Sequence, residues 1–390
     1  MGALELLRHP GVKRLPLGFK LFIARRFGLL SPSQDRVMER GGKRYISMHV
    51  PPLGTIGFDR FVDAHVRESR GERVPEIATV SVTSRCAGDC WHCLYSLEER
   101  RSGDFIPLDA MERAAREMAE MGTYSILLTG GDPLEHPNIR EIVGLFDDRF
   151  IVNMATPGRL LTGETAKALA SAGLAGVFIG LDSPDPETND TYRGTGSYDT
   201  AVRAIGAAKD ADLLTGIFSV IRREQLEKGE LRELMELAKR LGVDEVNLFE
   251  PVSPREELLT LEERSRLGGL QPEYNGKRGY PKVISGPYMD SPLFMGCTAG
   301  FNRLFIDHTG DVRPCQLLPV SYGNITEDGL QEIWERMALF EKPGNRCLFL
   351  DNYDVISAMG KGEGLTPGEC REICAARGDV PLYYRKLGIR

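Results

Sequence analysis

The sequence predicts an α/β protein: a partial (β/α)6 barrel with a small cysteine-bearing C-terminal domain and a basic N-terminal extension. Three observations lead to this fold. Short apolar runs alternate with helical segments six times between residue 76 and about residue 251, as in the βα units of a parallel sheet. The eight cysteines divide into a group of three and a group of five. Basic residues are concentrated in the first 50 positions, although the whole chain carries a net charge of −7.

We expect three parts: a basic extension at residues 1–75, the partial barrel at 76–290 and the cysteine-bearing domain at 291–390. The chain has 390 residues, 42% of them hydrophobic, which is enough for this organisation. Six βα units are too few to close an eight-stranded barrel, so the barrel is expected to be open. Catalytic groups in such barrels gather at the carboxyl ends of the strands.

Composition and charge narrow the function. The net charge of −7 does not indicate a nucleic-acid partner. No apolar run reaches the ~18 residues of a membrane span, and the first residues lack the basic and apolar regions of a secretory signal. Clustered cysteines in a chain of this length indicate cluster ligands in a reducing compartment rather than disulfides. We therefore expect an oxygen-sensitive cytoplasmic protein.

The N-terminal extension holds ten Lys or Arg against three acidic residues in its first 50 positions. Between residues 17 and 30, bulky apolar side chains are interleaved with basic ones. The residues concerned are Phe19, Leu21, Phe22, Phe27, Leu29 and Leu30 together with Lys20, Arg25 and Arg26. One interpretation is a helix that packs on the core and leaves its charges in water. The other is a docking surface for an acidic partner or an anionic membrane, which would make the protein peripheral at the membrane.

The first predicted strand, at residues 75–82, leads into a loop with three cysteines. Cys86, Cys90 and Cys93 follow the spacing C-x3-C-x2-C. Three thiolates within eight residues can hold three irons of an iron–sulfur cube, which leaves the fourth iron open to a small molecule. The alternatives are chance proximity of structural cysteines and a zinc site completed by His92. The spacing favours the cluster.

The next βα elements follow in order. A helix is expected at residues 107–122, with an apolar stripe and a terminating glycine. Strands are predicted at residues 124–129, 150–155, 176–181, 213–220 and 244–249, with helices around 198–210 and 230–241. The second strand ends in Gly130-Gly131-Asp132-Pro133, and the fourth ends in Asp182-Ser183. The glycines let the backbone approach a ligand, and the carboxylate beside them can accept from an ammonium group.

After the barrel, Cys297 and Cys315 follow the pattern C-x12-G-x4-C. The residues between them, 302–307 and 310–314, read as a β-hairpin that turns at 308–310. A hairpin returns the chain, so both cysteines can face one site. Three further cysteines follow at positions 347, 370 and 374.

This ordered series of motifs, over roughly residues 76 to 320, resembles the radical S-adenosylmethionine (radical SAM) superfamily. The C-x3-C-x2-C array is similar to the hallmark of that family. The resemblance implies a TIM-like partial barrel and a [4Fe–4S] cluster on Cys86, Cys90 and Cys93 as the catalytic residues. The open iron is then chelated by the amino and carboxylate groups of S-adenosylmethionine. Electron transfer from the cluster cleaves this cofactor to methionine and a 5′-deoxyadenosyl radical.

The resemblance also implies cofactor contacts. Gly130-Gly131-Asp132-Pro133 resembles the Gly-Gly-Glu-Pro that holds the methionine end, with Asp132 in place of the usual Glu. Asp182 and Ser183 are similar to polar ribose contacts, and Pro157 in Thr156-Pro157-Gly158 replaces the Asn of a common Thr-Asn-Gly. Ser219 and Arg222 are further contact candidates. The implied cofactor-binding residues are Gly130, Gly131, Asp132, Pro133, Asp182, Ser183 and Ser219.

The C-terminal pattern resembles the opening of the auxiliary-cluster domains called SPASM and twitch, and residues 323–334 continue that resemblance. The chain departs from a full SPASM domain because only Cys347, Cys370 and Cys374 follow. Five cysteines suit one auxiliary [4Fe–4S] cluster with a spare thiol, or a cluster with an open iron. We expect Cys297, Cys315 and Cys347 as ligands, with Cys374 or Cys370 as the fourth.

The resemblance thus implies an enzyme that abstracts a hydrogen from its substrate, in cofactor (tetrapyrrole-like) or peptide maturation. The auxiliary cluster would carry electrons or anchor the substrate, and a flavodoxin- or ferredoxin-type donor would reduce the radical cluster. An alternative is radical modification of a lipid or carbohydrate at the membrane surface. A non-catalytic iron–sulfur electron-transfer protein is a remote alternative, because it leaves the double glycine and the six βα units unexplained.

Overall fold

The computed structural model describes residues 10, 12–18, 20, 37–252, 258–359, 365–374 and 378–389. The strands within these residues are β1 (Met38–Arg40), β2 (Lys43–Tyr45), β3 (Ile77–Ser81), β4 (Ser125–Thr129), β5 (Ile151–Thr156), β6 (Gly176–Gly180), β7 (Leu214–Val220), β8 (Glu245–Phe249), β9 (Lys282–Ser285), β10 (Arg303–Ile306) and β11 (Val312–Arg313).

The α-helices within the same residues are α1 (Ile56–Glu68), α2 (Leu97–Ser102), α3 (Leu108–Met121), α4 (Ile139–Gly144), α5 (Gly163–Ala172), α6 (Pro186–Arg193), α7 (Ser197–Asp210), α8 (Arg223–Lys228), α9 (Glu230–Leu241), α10 (Leu261–Asn275), α11 (Gly286–Met289), α12 (Leu330–Arg336), α13 (Leu348–Asp351), α14 (Tyr353–Met359), α15 (Pro367–Cys374) and α16 (Leu382–Leu387). Short 3-10 helices occur at Val12–Arg14, Pro133–Glu135 and Met337–Phe340.

A nine-stranded sheet in the order β11-β10-β3-β4-β5-β6-β7-β8-β9 organises the described residues. The predicted α/β fold is confirmed: β3 to β8 are the six expected strands, each within two residues of its predicted ends, and they pair in parallel. The sequence did not reveal that β9 extends the sheet beyond β8, also in parallel. It did not reveal either that the predicted hairpin, β10 and β11, joins the other edge, with β10 parallel to β3.

Helix α3 shows how the local sequence produces these elements. Met111, Ala114 and Met118 recur at helical spacing and are almost completely buried against the sheet. The helix ends at Gly122, which has a φ of 105°, a conformation that glycine adopts without steric cost. The chain can therefore turn directly into β4.

The N-terminal part is more structured than its composition indicated. Thr55 caps the N-terminus of helix α1, and its side chain accepts a hydrogen bond from the Phe58 amide. Its buried face, with Phe58 and Val62, packs in one apolar cluster with Tyr384 of α16. The N-terminal part therefore contacts both the barrel and the end of the chain.

Two predictions for the chain ends stay predictions. The interleaved segment at residues 17–30 lies outside the described residues except for positions 17, 18 and 20, so its docking role is untested. The domain boundaries at 75/76 and 290/291 are likewise expectations. In the described part of the chain, we find no helix that is long and apolar enough to cross a membrane.

Candidate iron–sulfur and cofactor sites

The three-cysteine loop leaves the carboxyl end of β3 and gathers its thiols around Gly88. The Gly88 amide donates to Cys86 Sγ at 3.2 Å. A Cβ atom at Gly88 would lie 3.3 Å from Cys86 Sγ and 3.9 Å from Cys90 Sγ, so both sulfurs border the same point. Cys86, Cys90 and Cys93 are all half-buried. The loop therefore brings the Cys86 and Cys90 sulfurs to one point, with Cys93 close enough for its charge to act on both.

The electrostatics of this loop suit a metal cluster. Burial, followed by the nearby charges of Asp132, Cys90 and Cys93, raises the pKa of Cys86 to about 12. Burial also raises the pKa of Cys90. Thiolates held this close repel one another, and iron can take the place of the protons that they otherwise retain. The soft donor set fits an iron–sulfur cluster.

Two arginines with little exposed surface, which the sequence gave no reason to choose, lie beside the loop. Arg193 at the end of α6 places Nη1 3.9 Å from Cys90 Sγ. It passes over Gly180, where any Cβ atom would lie 2.1 Å from the guanidinium. Arg100, 4% exposed, donates to the Gly88 carbonyl oxygen and the Asp89 carboxylate. These guanidinium groups place positive charge beside the thiols, where it favours their anionic form.

The double glycine packs directly on the cysteine loop. The Gly131 amide donates to the Thr83 carbonyl and the Asp132 amide to the Arg85 carbonyl, both at 2.7 Å. A Cβ atom at Gly130 would lie 2.1 Å from the Thr83 oxygen, and one at Gly131 would lie 2.1 Å from the Arg85 oxygen. Both glycines are therefore required for the approach of two backbone segments. Their predicted contact with the cofactor, like that of the neighbouring Pro133, stays a prediction.

Asp132 is 2% exposed and lies in contact with the exit of β5. Its Oδ1 accepts from Thr156 Oγ1 at 2.8 Å and from the Leu134 amide at 3.2 Å. Thr156 Oγ1 in turn accepts from the Gly158 amide at 3.0 Å. Burial raises the pKa of Asp132 to about 6, despite these hydrogen bonds. A neighbouring ammonium group would stabilise its charged form.

Asp182 and Ser183 are fully buried and already engaged within the protein. Asp182 Oδ1 accepts from Arg193 Nη2 at 2.7 Å and from the Val220 amide at 2.8 Å. Burial alone would raise the pKa of Asp182, but Arg193 and His92 hold it at about 2. Ser183 Oγ accepts from the Asp185 amide. Their predicted ribose contacts stay predictions, and the structure gives both side chains a local role.

Ser219 and Arg222 occupy different positions at the end of β7. Ser219 Oγ is buried and has no hydrogen-bond partner among the described residues. Strand alternation places it on the same face as Ile217, in the helix-facing core, whereas Phe218 stacks on Phe178 in a separate cluster on the other face. This placement does not favour the predicted cofactor contact of Ser219, which stays a prediction.

Arg222 braces the cysteine loop instead. Its guanidinium lies 4.8 Å from the centre of the Trp91 ring and 5.1 Å from that of Tyr192, as in cation–π contacts. The Trp91 amide also donates to the Tyr192 carbonyl at 2.9 Å. The loop is therefore fastened to α6 and to the end of β7 at the same point.

The second cysteine group comes together from distant positions. Cys297 pairs its backbone with Gly344 through two hydrogen bonds of 2.8 Å, which brings the segment before Cys347 alongside it. Burial, then the charge of Cys297, raises the pKa of Cys315 to about 12 and that of Cys347 well above its ordinary value. The amides of residues 317 and 318 point at the Cys315 sulfur. Two buried thiols and one half-buried thiol that influence one another suit an iron–sulfur cluster.

The remaining cysteines lie on α15. Cys370 is 1% exposed and belongs to the same apolar core as Cys297 and Cys347. The side chain of Cys374 lies outside the described residues. The identity of a fourth ligand therefore stays a prediction.

A contact that the sequence did not reveal links the two cysteine groups. Tyr95, two residues beyond Cys93, hydrogen-bonds Ser81 of β3, with 2.6 Å between the hydroxyl oxygens. Its ring lies 5.7 Å from that of His308, at the tip of the β10–β11 hairpin. The cysteine loop and the second cysteine-bearing region thus meet through one aromatic pair.

Comparison with known proteins agrees with this division. The model of the radical SAM superfamily matches residues 80–238, and the model of an iron–sulfur cluster-binding domain, SPASM, matches residues 297–356. The AdoMet-dependent heme synthase of Methanosarcina barkeri is 27% identical over 296 residues, 69% of this chain and 84% of the relative. The mycofactocin maturase MftC of Mycobacterium tuberculosis is 28% identical over 307 residues, 70% of this chain and 73% of the relative.

A solved structure shows the same fold. SuiB of Streptococcus suis, bound to S-adenosylmethionine, superposes with a TM-score of 0.58 at 17% sequence identity, over 70% of this chain and 69% of SuiB. The two family matches imply a [4Fe–4S] cluster with S-adenosylmethionine in the first domain and auxiliary iron–sulfur binding in the second.

Proposed function

The chain belongs to the radical SAM superfamily and carries a SPASM domain, and we propose that it matures a cofactor by hydrogen abstraction. One observation carries this proposal. A three-cysteine loop and a double glycine are packed together at the carboxyl end of the sheet. A second cysteine group joins the same sheet through β10, which pairs with β3. This pairing supports the proposal that both sets serve one substrate.

The residues of the first site have separate roles in this proposal. Cys86, Cys90 and Cys93 hold the cluster, and Arg193 and Arg100 offset its negative charge. When bound, the cluster and S-adenosylmethionine supply the electron and the 5′-deoxyadenosyl radical. A flavodoxin- or ferredoxin-type protein is proposed as the electron donor.

Asp132 is proposed to receive the amino group of the cofactor. Its carboxyl is held by Thr156 and by the Leu134 amide, so its position is fixed before the cofactor binds. Because burial raises its pKa to about 6, an arriving ammonium group gains a partner that is otherwise poorly compensated. The aspartate is one methylene shorter than the family's glutamate, and the close packing of Gly131 on Arg85 draws this strand exit toward the cysteine loop.

The auxiliary site is proposed to use Cys297, Cys315 and Cys347, with Cys370 or Cys374 as a fourth ligand. Cys297 precedes and Cys315 follows the hairpin whose tip contacts Tyr95. This arrangement supports a role in accepting an electron from the substrate or in anchoring it.

The leading substrate class is a tetrapyrrole-like cofactor precursor. It is supported by heme synthases, which are among the relatives whose alignment covers over two thirds of this chain. A peptide that is converted to a cofactor is the second candidate. It is supported by the mycofactocin maturases and by the PqqA peptide cyclase of Granulibacter bethesdensis, which is 26% identical over 364 residues.

Isotope transfer tests both candidates. Reduced, anaerobically reconstituted enzyme is incubated with S-adenosylmethionine and deuterated carboxylated porphyrins or deuterated precursor peptides. Deuterium in 5′-deoxyadenosine with a porphyrin supports the leading class, and deuterium only with a peptide selects the second. Cofactor cleavage without transfer from either class would reject both substrate proposals while leaving the radical chemistry intact.

A further inference from the structure

A polar cluster is buried at the amino ends of β3, β4 and β10. The cysteine loop lies at the other, carboxyl end of these strands. Glu68 is the last residue of α1, and Glu76 comes directly before β3; they are 0% and 1% exposed. His65, on the same helix as Glu68, is 3% exposed. One donor atom from each of these three side chains lies within 4.8 Å of the other two.

Hydrogen-bonding side chains from distant segments surround this trio. Tyr124 Oη and Asn302 Nδ2 each donate to Glu76 Oε2 at 3.1 Å. The Tyr383 hydroxyl of α16 lies 2.5 Å from His65 Nε2. The cluster therefore joins the N-terminal helix, the base of the barrel and the C-terminal helix.

Glu68 is the member of this trio whose burial the neighbouring side chains do not explain. Both of its carboxylate oxygens are buried, and neither has a hydrogen-bond partner among the described residues. The amide oxygen of Asn302 nearby is also unpartnered. Glu68 stands at the C-terminal end of α1, where the helix dipole presents negative charge, so a carboxylate is doubly unfavourable there. Burial, then the charge of Glu76, raises the pKa of Glu68 well above its ordinary value, although the Asn302 side chain is close enough to oppose this rise in part.

The charges around Glu68 and Glu76 leave these two carboxylates without full compensation. Glu250 is paired with Arg264, with 2.8 Å between Oε2 and Nε. Burial raises the pKa of Asp290 although the charges of Arg303 and Arg264 oppose this rise, and Arg303 is the smallest of the named influences on the pKa of Glu76. Two negative charges in a buried space call for a double positive charge or for protons.

The geometry points to a structural divalent-cation site formed by Glu68, Glu76 and His65, which takes a hard cation of the Mn²⁺ or Mg²⁺ class. Oxygen-rich donors with one imidazole suit such ions. Metal–ligand bonds of about 2.1 Å place neighbouring donors about 3 Å apart, and His65 Nδ1 lies 3.2 Å from Glu76 Oε1. On binding through Nδ1, His65 exchanges its contact with the Phe61 carbonyl, at 2.8 Å, for the ion.

Mn²⁺ is the probe, because it avoids thiols and is detected by its paramagnetic resonance. Holoenzyme with its clusters intact is passed over a chelating resin and titrated with Mn²⁺. We expect about one tightly bound equivalent in the wild type. Glu68→Gln and Glu76→Gln should each weaken this binding by at least about tenfold. Glu72→Gln is the matched control, since its side chain is 46% exposed and is paired with Arg67.

Thermal unfolding supplies the second readout. Mn²⁺ should raise the unfolding midpoint of the wild type and of Glu72→Gln but not that of Glu68→Gln, because an ion that binds only the folded state stabilises it. Without Mn²⁺, Glu68→Gln should unfold at the same temperature as the wild type or higher, since the amide carries no charge. In the wild type and in Glu72→Gln, pulsed resonance should detect one imidazole nitrogen coupled to the bound Mn²⁺.

Three results would overturn the site. One is a wild type that binds no Mn²⁺ and whose midpoint the ion leaves unchanged; a proton alone then resolves the charge, with Glu68 donating to Asn302. The second is equal Mn²⁺ binding by the wild type and by folded Glu68→Gln. The third is bound Mn²⁺ without nitrogen coupling, which decides the question even where a variant fails to fold.

Discussion

The two cysteine groups reach similar chemistry by opposite routes. Cys86, Cys90 and Cys93 share one loop, are half-buried, and depend on backbone contacts with the double glycine. Cys297 and Cys347 are 50 residues apart in the chain and are 7% and 8% exposed. The first group is a local motif held in place by its surroundings. The second exists only because the tertiary structure brings its members together, so its ligand set is harder to infer from spacing.

The largest effect is expected from removing the local group. Changing Cys86, Cys90 and Cys93 together to Ala should abolish release of 5′-deoxyadenosine from S-adenosylmethionine, because no thiolate remains to hold the cluster. Iron should fall from about eight to about four atoms per chain, since the auxiliary cluster remains. The measurements are product analysis and iron content of reconstituted protein. Cofactor cleavage by the triple variant would refute the assignment.

The corresponding triple substitution in the second cysteine group tests the auxiliary site. Changing Cys297, Cys315 and Cys347 together to Ala should also remove about half of the iron. It should lower the unfolding temperature as well, because two buried side chains, one half-buried side chain and their metal are lost. Release of 5′-deoxyadenosine without substrate should persist. If the first triple variant retains no iron, or holds zinc in place of the iron that should remain, or if this second variant keeps all of its iron, the auxiliary cluster is excluded.

A substitution in the double glycine tests whether the cysteine loop depends on the backbone that packs against it. Gly131→Ala places a Cβ atom 2.1 Å from the Arg85 carbonyl, so the cysteine loop must shift. A displacement near 1 Å can reduce a rate by about 100-fold, and we expect a loss of cofactor cleavage of that order with iron content partly retained. Gly144→Ala is the matched control, because a Cβ atom there meets nothing within 4 Å. Equal activity of both variants would show that the loop does not depend on the glycine.

The same contrast explains what the sequence could predict. Strands β3 to β8 and helix α3 were predictable because buried apolar residues recur with the period of each element. The pairing of β10 with β3 was not, because short strands carry no signal that names their partner. The role of Arg193 could not be predicted either. Its contact with Cys90 depends on Gly180, 13 positions earlier in the chain, which leaves room for the guanidinium group.

A pH experiment examines Asp132, which lies between the double glycine and β5. Burial raises its pKa from 3.8 to about 6. A carboxyl with a raised folded-state pKa stabilises the protein most below its unfolded pKa, and this contribution is lost as the pH rises through 6. Relative to Asp132→Asn, the wild type should therefore lose roughly 1–3 kcal/mol of stability between about pH 4 and pH 6, and little more above that.

Denaturant unfolding at a series of pH values measures this difference, on enzyme that carries its clusters but no S-adenosylmethionine. Glu112→Gln, on the exposed face of α3, serves as the control and should follow the wild type throughout. A wild type that gains stability relative to Asp132→Asn as the pH rises from 5 to 7 would mean that a positive partner already compensates Asp132. The proposed contact with the amino group of the cofactor would then lose its electrostatic basis.

The smallest expected effect concerns the contact between the two groups. Tyr95→Phe removes the hydrogen bond between the Tyr95 and Ser81 hydroxyls but keeps the ring that packs against His308. A net loss of about 1 kcal/mol in the free energy of unfolding is expected, as for a typical buried hydrogen bond. Iron content and cofactor cleavage should stay unchanged, because no cluster ligand moves. A double-mutant cycle with Ser81→Ala isolates the pair: a coupling energy near zero would show that the hydroxyls do not interact in solution. A loss of iron in Tyr95→Phe would instead show that the junction, and not only each local motif, positions the cysteines.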